Sequence, residues 1–124
     1  MTSTALHTAL IAALDDAVDC DVWDAVPPGA DYPYVTVDTS EAANEDFLTD
    51  RMERRFVYLS VWSTHPGQAE VLSIMDQIDA LHEQPLTLAS GHAVSVRVER
   101  RRTSREPDNL TFMGQVTLRV FTTR

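Results

Sequence analysis

Lysine is absent from this chain, whose ten cations are all arginine, and residues 1–50 hold no cation of either kind. An arginine-only basic set favours fixed, forked pairing with carboxylates over loosely solvated charge. Cysteine is almost absent too. The lone Cys20 cannot close an internal disulfide, and no Cys or His stands at metal-ligand spacing around it, so it reads as a core or half-buried thiol. Four glycines, Gly29, Gly67, Gly91 and Gly114, stand singly, which excludes both a phosphate-cradling loop and a dinucleotide fingerprint. His7, His65, His82 and His92 show no paired spacing, and no metal or other cofactor is expected. Long apolar runs are missing as well. The N-terminal apolar stretch has no Lys or Arg before it and is broken by His7, Asp15 and Asp16, so neither a signal peptide nor a membrane span is expected, and synthesis in the cytoplasm is.

What is present is an ordinary globular balance, 44% hydrophobic and 23% charged residues over 124 positions, enough for one core and too little for two. A single domain over 1–124 is expected. Its formal charge of -9 is unevenly spread. Residues 1–50 carry eleven carboxylates against no cation, whereas 51–124 carry ten arginines against eight carboxylates.

Periodicity predicts an amphipathic helix over 4–18, with Leu6, Ala9, Leu10, Ala13, Leu14 and Ala17 on one face. Asp15, Asp16, Asp19, Asp21 and Asp24 fall at its C-terminal end and beyond, where the helix dipole disfavours negative charge, so stability does not explain them. Short strands are expected at 20–26, stopped by Pro27-Pro28-Gly29, and at 34–38. The polar, aperiodic segment 39–50 reads as a long loop. A strong strand follows over 53–63, then a turn at 64–67, a second amphipathic helix over 68–83 ending before Pro85, and a short strand at 86–88. Alternating Val94, Val96, Val98 and Phe112, Gly114, Val116, Leu118, Val120 predict two long strands joined through Glu106-Pro107-Asp108-Asn109, a hairpin with an arginine-rich arm. The sum is an α+β fold: a largely antiparallel sheet with two helices packed on it.

No catalytic signature emerges, and an enzyme is not expected. Glu41, Glu45, Asp46 and Asp50 supply carboxylates to the central loop but have no partner in the sequence that would tune them, so a solvated acidic loop is the plainer reading. Trp23 and Trp62 read as packing residues before interface anchors. The cluster Arg97, Arg100, Arg101, Arg102 and Arg105 has three readings: a salt-bridged hairpin arm, pairing with the acidic half of a neighbouring subunit, or phosphate contact. A sequence pI near 4.7 and the lack of interleaved aromatics count against the last.

In linear order the chain runs from a Leu-rich helix through VWDAVPPGADYPYVTV, an acidic segment and RRFVYLSVWSTHPGQAEVLSIMDQIDALHEQPLTL to GHAVSVRVERRRTSREPDNLTFMGQVTLRVF. That order resembles the tail-terminator or tail-completion family of siphophages, prophages and gene transfer agents over nearly its whole length. The most specific pieces are VPPGADYPYV, the strand ending in VWS before a Gly-containing turn and helix, and the turn before the last strand, here Glu106-Pro107-Asp108-Asn109. The resemblance implies a ring-forming homo-oligomer, usually a hexamer, that caps the tail tube and meets the head-side connector while DNA passes through without specific binding. Such a protein would reside in the host cytoplasm and then in the virion or virion-like particle. The Arg97–Arg105 arm is then expected at a subunit interface. Asp15, Asp16, Asp19, Asp21, Glu41, Glu45, Asp46 and Asp50 are expected to line the lumen or face a partner, since a basic lining would hold DNA by counterion release. The alternatives are a head-side connector or stopper, a small hydrolase using the 41–50 carboxylates, and a nucleic-acid-binding module.

Overall fold

The computed structural model describes residues 2–44, 52–88, 93–108 and 110–123. Its elements in chain order are α1 (Thr2–Ala17), β1 (Asp21–Trp23), β2 (Tyr34–Asn44), β3 (Met52–Ser63), α2 (Ala69–Asp79), β4 (Pro85–Thr87), β5 (Ala93–Arg105) and β6 (Phe112–Thr123). The six strands form one sheet in the order β1-β2-β3-β6-β5-β4. The α+β class holds, with two helices, but the sheet is mixed rather than largely antiparallel, because β1 runs parallel to β2. The cause is the connection between them. A tight turn would have returned the chain antiparallel; the ten-residue segment 24–33 is long enough to carry it back to the starting end. Gly29 in that segment takes φ +78, a left-handed conformation that glycine adopts without steric cost.

Alternation decides which side chains enter the core. Val35 and Val37 of β2, Val57, Leu59 and Val61 of β3, Val116, Leu118 and Val120 of β6 and Val96 of β5 are buried on the face that carries the helices. From α1 come Leu6, Leu10 and Leu14, each at most 1% exposed and spaced four apart on one stripe. From α2 come Val71, Ile74, Met75 and Ile78. The helix α2 lies directly against β6, because Gly114 has no side chain: a Cβ there would sit 2.5 Å from Met75 Sδ and 2.6 Å from Val71 Cγ1. Contacts of α1 with β1 at one end of the sheet and β4 at the other show it spanning the sheet's width.

Three local expectations are corrected. Residues 39–44 of the expected loop extend β2, paired with Glu53–Tyr58 of β3; 45–50 lie outside the described residues. A segment without period became a strand because its partner, with strong alternation, supplies the ladder. The second helix ends at Asp79 rather than 83, since the Glu83 N–H turns away to the Val96 carbonyl at 2.7 Å. The first strand is limited to Asp21–Trp23.

Candidate functional site

The sheet has a second face, turned away from the helices, and its surface chemistry follows from two bulges. A bulge shifts alternation by one residue and sends every later side chain to the other face. In β5 the register slips between Val98 and Arg100. Without the slip, Arg100 and Arg102 would follow Val96 and Val98 beneath the helices. With it, Arg101 lies opposite buried Val116, while Arg100 and Arg102 lie opposite Thr117 and Gln115 on the open face.

The five arginines expected to act together are therefore divided. Arg101 reaches Asp76 (3.6 Å) and Asp79 (3.8 Å) on α2, and Arg97 lies 3.9 Å from Glu83. Arg105 lies over the Phe112 ring at 5.5 Å. For Arg97 and Arg101 the salt-bridged reading applies, although these exposed pairs are worth at most about 1 kcal/mol. Arg100 and Arg102 are exposed and make no ion pair among the described residues. They border a depression of about 200 Å³ whose opposite rim is Asp38 and Tyr58.

Asp38 is the extra residue of the second bulge, between Val37 and Thr39 of β2, and shares the open face with Thr36 and Ser60. Its carboxylate accepts hydrogen bonds from Ser60 Oγ and from Thr36 Oγ1 (2.7 Å), and Thr36 Oγ1 in turn accepts the Trp62 indole N–H at 3.3 Å. Trp62 is thus pinned on the open face, whereas the Trp23 indole N–H is buried without an acceptor among the described residues. Farther along, Arg54 stands opposite Phe121 and Phe56 opposite Arg119. Each guanidinium also covers the aromatic ring two positions on, Arg54 over Phe56 and Arg119 over Phe121, both at 5.4 Å. Arg119 Nε sits 3.3 Å from Glu99 Oε2, an ion pair without hydrogen-bond geometry. Sequence reasoning missed this checkerboard, although Arg-x-Phe occurs at the same spacing in both strands. It also missed Asp38, which looked like the end of a strand.

The acidic residues gather elsewhere. Asp15 and Asp16 occupy the last turn of α1, which has no basic residue, and together with Asp19 and Asp21 they are exposed beside β1. The Asp19 N–H is held by Gln77 Oε1 at 3.2 Å, and Asp24 pairs with His7 Nε2 at 3.2 Å. Glu41 is placed only as a β2 residue; Glu45, Asp46 and Asp50 lie outside the described residues. Half-buried Cys20 sits amid these carboxylates; burial first, then Asp19, Asp21 and Glu70, push its thiol up to about 11. Among the described residues no group of His, Cys, Asp and Glu is placed to hold a metal, and no helix is long and apolar enough to cross a membrane.

The sheet thus carries exposed carboxylates at its β1 edge and, toward its β5 edge, guanidiniums without an ion pair among the described residues, with an aromatic-arginine surface between. The profile of a family described as tail completion protein gp17 matches residues 4–123. A chain from the solved virion of a native gene transfer agent particle superposes with a TM-score of 0.78 at 22% identity, covering 97% of this chain and 98% of that one. A second solved chain superposes at 0.66 and 15% identity, covering 100% and 96%. At these identities both are likenesses of fold. No curated protein matches in sequence.

Proposed function

The chain belongs to the tail completion protein gp17 family, and from that premise we propose that it ends the growth of a phage-type tail: copies close into a ring, six in number, that caps the tube and presents a face to the head-side connector. DNA passes through the ring without specific binding. The protein is then a structural part of a virion or virion-like particle, assembled in the host cytoplasm, and turns over no substrate. One observation carries the reading: opposite edges of a single sheet hold opposite charges without an ion pair among the described residues, Asp15, Asp16, Asp19 and Asp21 beside β1 and Arg100 with Arg102 on β5. A ring contact is heterologous, one patch meeting a different one, and two such edges suit it. The carboxylates left over after contact face the lumen or a partner, where they repel phosphate rather than hold it.

The test replaces the two arginines that have no ion-pair partner among the described residues. Arg100→Glu with Arg102→Glu is expected to leave the far-ultraviolet circular dichroism of the monomer unchanged while abolishing rings at tube ends in negative-stain electron microscopy. Intact rings from the folded double variant would sink the assignment of this edge to the subunit interface.

A further inference from the structure

The four long strands β2, β3, β6 and β5 are 11 to 13 residues each, but the strands flanking them are only three residues long. On one side β1 pairs only with Tyr34, Val35 and Thr36 of β2. On the other, β4 pairs only with Ala93, Val94 and Ser95 of β5. The turn after α2 extends that cover slightly: Glu83 N–H donates to the Val96 carbonyl at 2.7 Å, and the Val98 N–H donates to His82 Nδ1 at 2.9 Å. Beyond these points the outer edge of 37–44 in β2 and of 99–105 in β5 has no pairing strand among the described residues. Each is an open row of backbone donors and acceptors with no proline.

We infer that these two edges pair with each other between copies, β2 of one subunit continuing the sheet of the next beyond its β5. This rests on the ring reading above and names the contact that closes it. The occupant is a second copy of this chain, for three reasons. Charge is the first. The 37–44 edge carries Asp38 and Glu41 and no cation, whereas 99–105 carries Arg100, Arg101, Arg102 and Arg105 against Glu99 alone. Like edges repel, so two-fold pairing of β2 with β2 or β5 with β5 is opposed, and the head-to-tail pairing that builds rings is the one left.

Direction is the second reason. Along β2, β3, β6 and β5 the strands alternate, each antiparallel to the last. An even number of alternating strands means that a rotated copy brings its β2 antiparallel to the preceding β5. The third reason is stagger. Glu41, near the middle of one free edge, is level with Phe56, whereas Arg102, the middle of the other, is level through Gln115 with Ser60, and all of these positions belong to the open face. The two free edges are thus four residues apart along the strands. At about 3.3 Å per residue and about 4.8 Å per strand, four strands to the next copy give a slope of about 35°. Closed sheets tilt their strands by about 35–45°, so an offset of this size is what closure requires rather than an obstacle to it.

Amide hydrogen exchange on the full-length protein, free and assembled on tail tubes with rings confirmed by electron microscopy, reads the contact directly. Outward-facing amides in 37–44 and 99–105 are expected to slow by about tenfold or more on assembly, since exchange reports local opening, while those of Ala69–Asp79 hold steady. A second arm uses Thr39→Cys with Ser104→Cys, which the same register sets opposite each other on the open face, in a Cys20→Ser background. Oxidation is expected to yield a disulfide-linked ladder that neither single-cysteine variant gives. Rings whose two edges exchange as fast as in the free chain, with no ladder, overturn edge pairing and leave the ring reading standing. Failure to form any ring overturns both.

Discussion

The approach of α2 to the sheet depends on one missing side chain, and restoring its first carbon measures how tightly the layers meet. A Cβ at Gly114 would lie 2.5 Å from Met75 Sδ and 2.6 Å from Val71 Cγ1. Ordinary carbon contacts lie at about 3.5–4.0 Å, so the layers would have to part by roughly 1 Å. Met75 can bend, but Val71 is stiff and fully buried, and both sit on the same helical face four residues apart. Overpacking of this kind costs about 1–3 kcal/mol, and replacing a strand glycine returns about 0.5–1 kcal/mol of conformational entropy. Gly114→Ala is therefore expected to lose about 1–2 kcal/mol in urea unfolding followed by circular dichroism. With an unfolding entropy of about 2.1 cal/mol/K per residue, that lowers Tm by about 4–8 °C. Combining it with Met75→Ala removes the nearer clash, so the double variant should be more stable than additivity predicts by about 1 kcal/mol. A Gly114→Ala protein as stable as its parent, or strictly additive behaviour, would refute the close-approach argument.

Two further outcomes concern titratable groups. With its thiol raised from 9.0 to about 11, Cys20 should be alkylated by iodoacetamide at pH 8 about a hundredfold more slowly in the folded chain than in urea, and equal rates would show the thiol to be open. The sign of the linkage follows: the folded state favours the protonated thiol, so this contribution is intact below pH 9 and is lost as pH rises toward 11. Asp108 is the opposite case, held below the usual carboxylate range by the N–H groups of Leu110 and Thr111 and the Thr111 hydroxyl, each at 2.8 Å. Its hold on the turn is present above about pH 4 and is lost as pH falls through its depressed value, by the same linkage. Exchange at the Leu110 and Thr111 amides should accelerate over that acid range relative to neighbouring amides and in Asp108→Ala at neutral pH, and an indifferent turn would exclude the capping role.

How much was legible depended on whether the information was local. The four-residue spacing of Leu6, Leu10 and Leu14 and the alternation of Val57, Leu59 and Val61 are properties of single segments, and each places its residues in the core. Bulges are not such properties. The slip between Val98 and Arg100 arises between two strands, and nothing within the run of arginines says which of them turns outward. The arm was visible as a cluster, yet its division into Arg101 held by α2 and Arg100 with Arg102 left open needed the pairing partner. What Asp38 binds was hidden because Ser60 lies on another strand, and the extension of β2 to Asn44 depends on β3 rather than on its own pattern.

The charge layout shows what the chain leaves unmatched among the described residues. Beyond residue 50, Arg97, Arg101 and Arg119 each find a carboxylate within the chain. In the first half, the described pair is Asp24 with His7, and the carboxylates of Asp15 and Asp16 close α1 against its own dipole. A chain folded for its own stability would have exchanged some of these positions, since surface charge is easily altered without touching the core. Arg100 and Arg102 fit the same argument, because a carboxylate on a neighbouring strand would have quieted them and none is there among the described residues. In the proposed ring, charges left unmatched among the described residues at opposite ends of one sheet would gain a partner where two copies meet. On that proposal the electrostatic cost of the free chain is a term in assembly rather than a defect of folding.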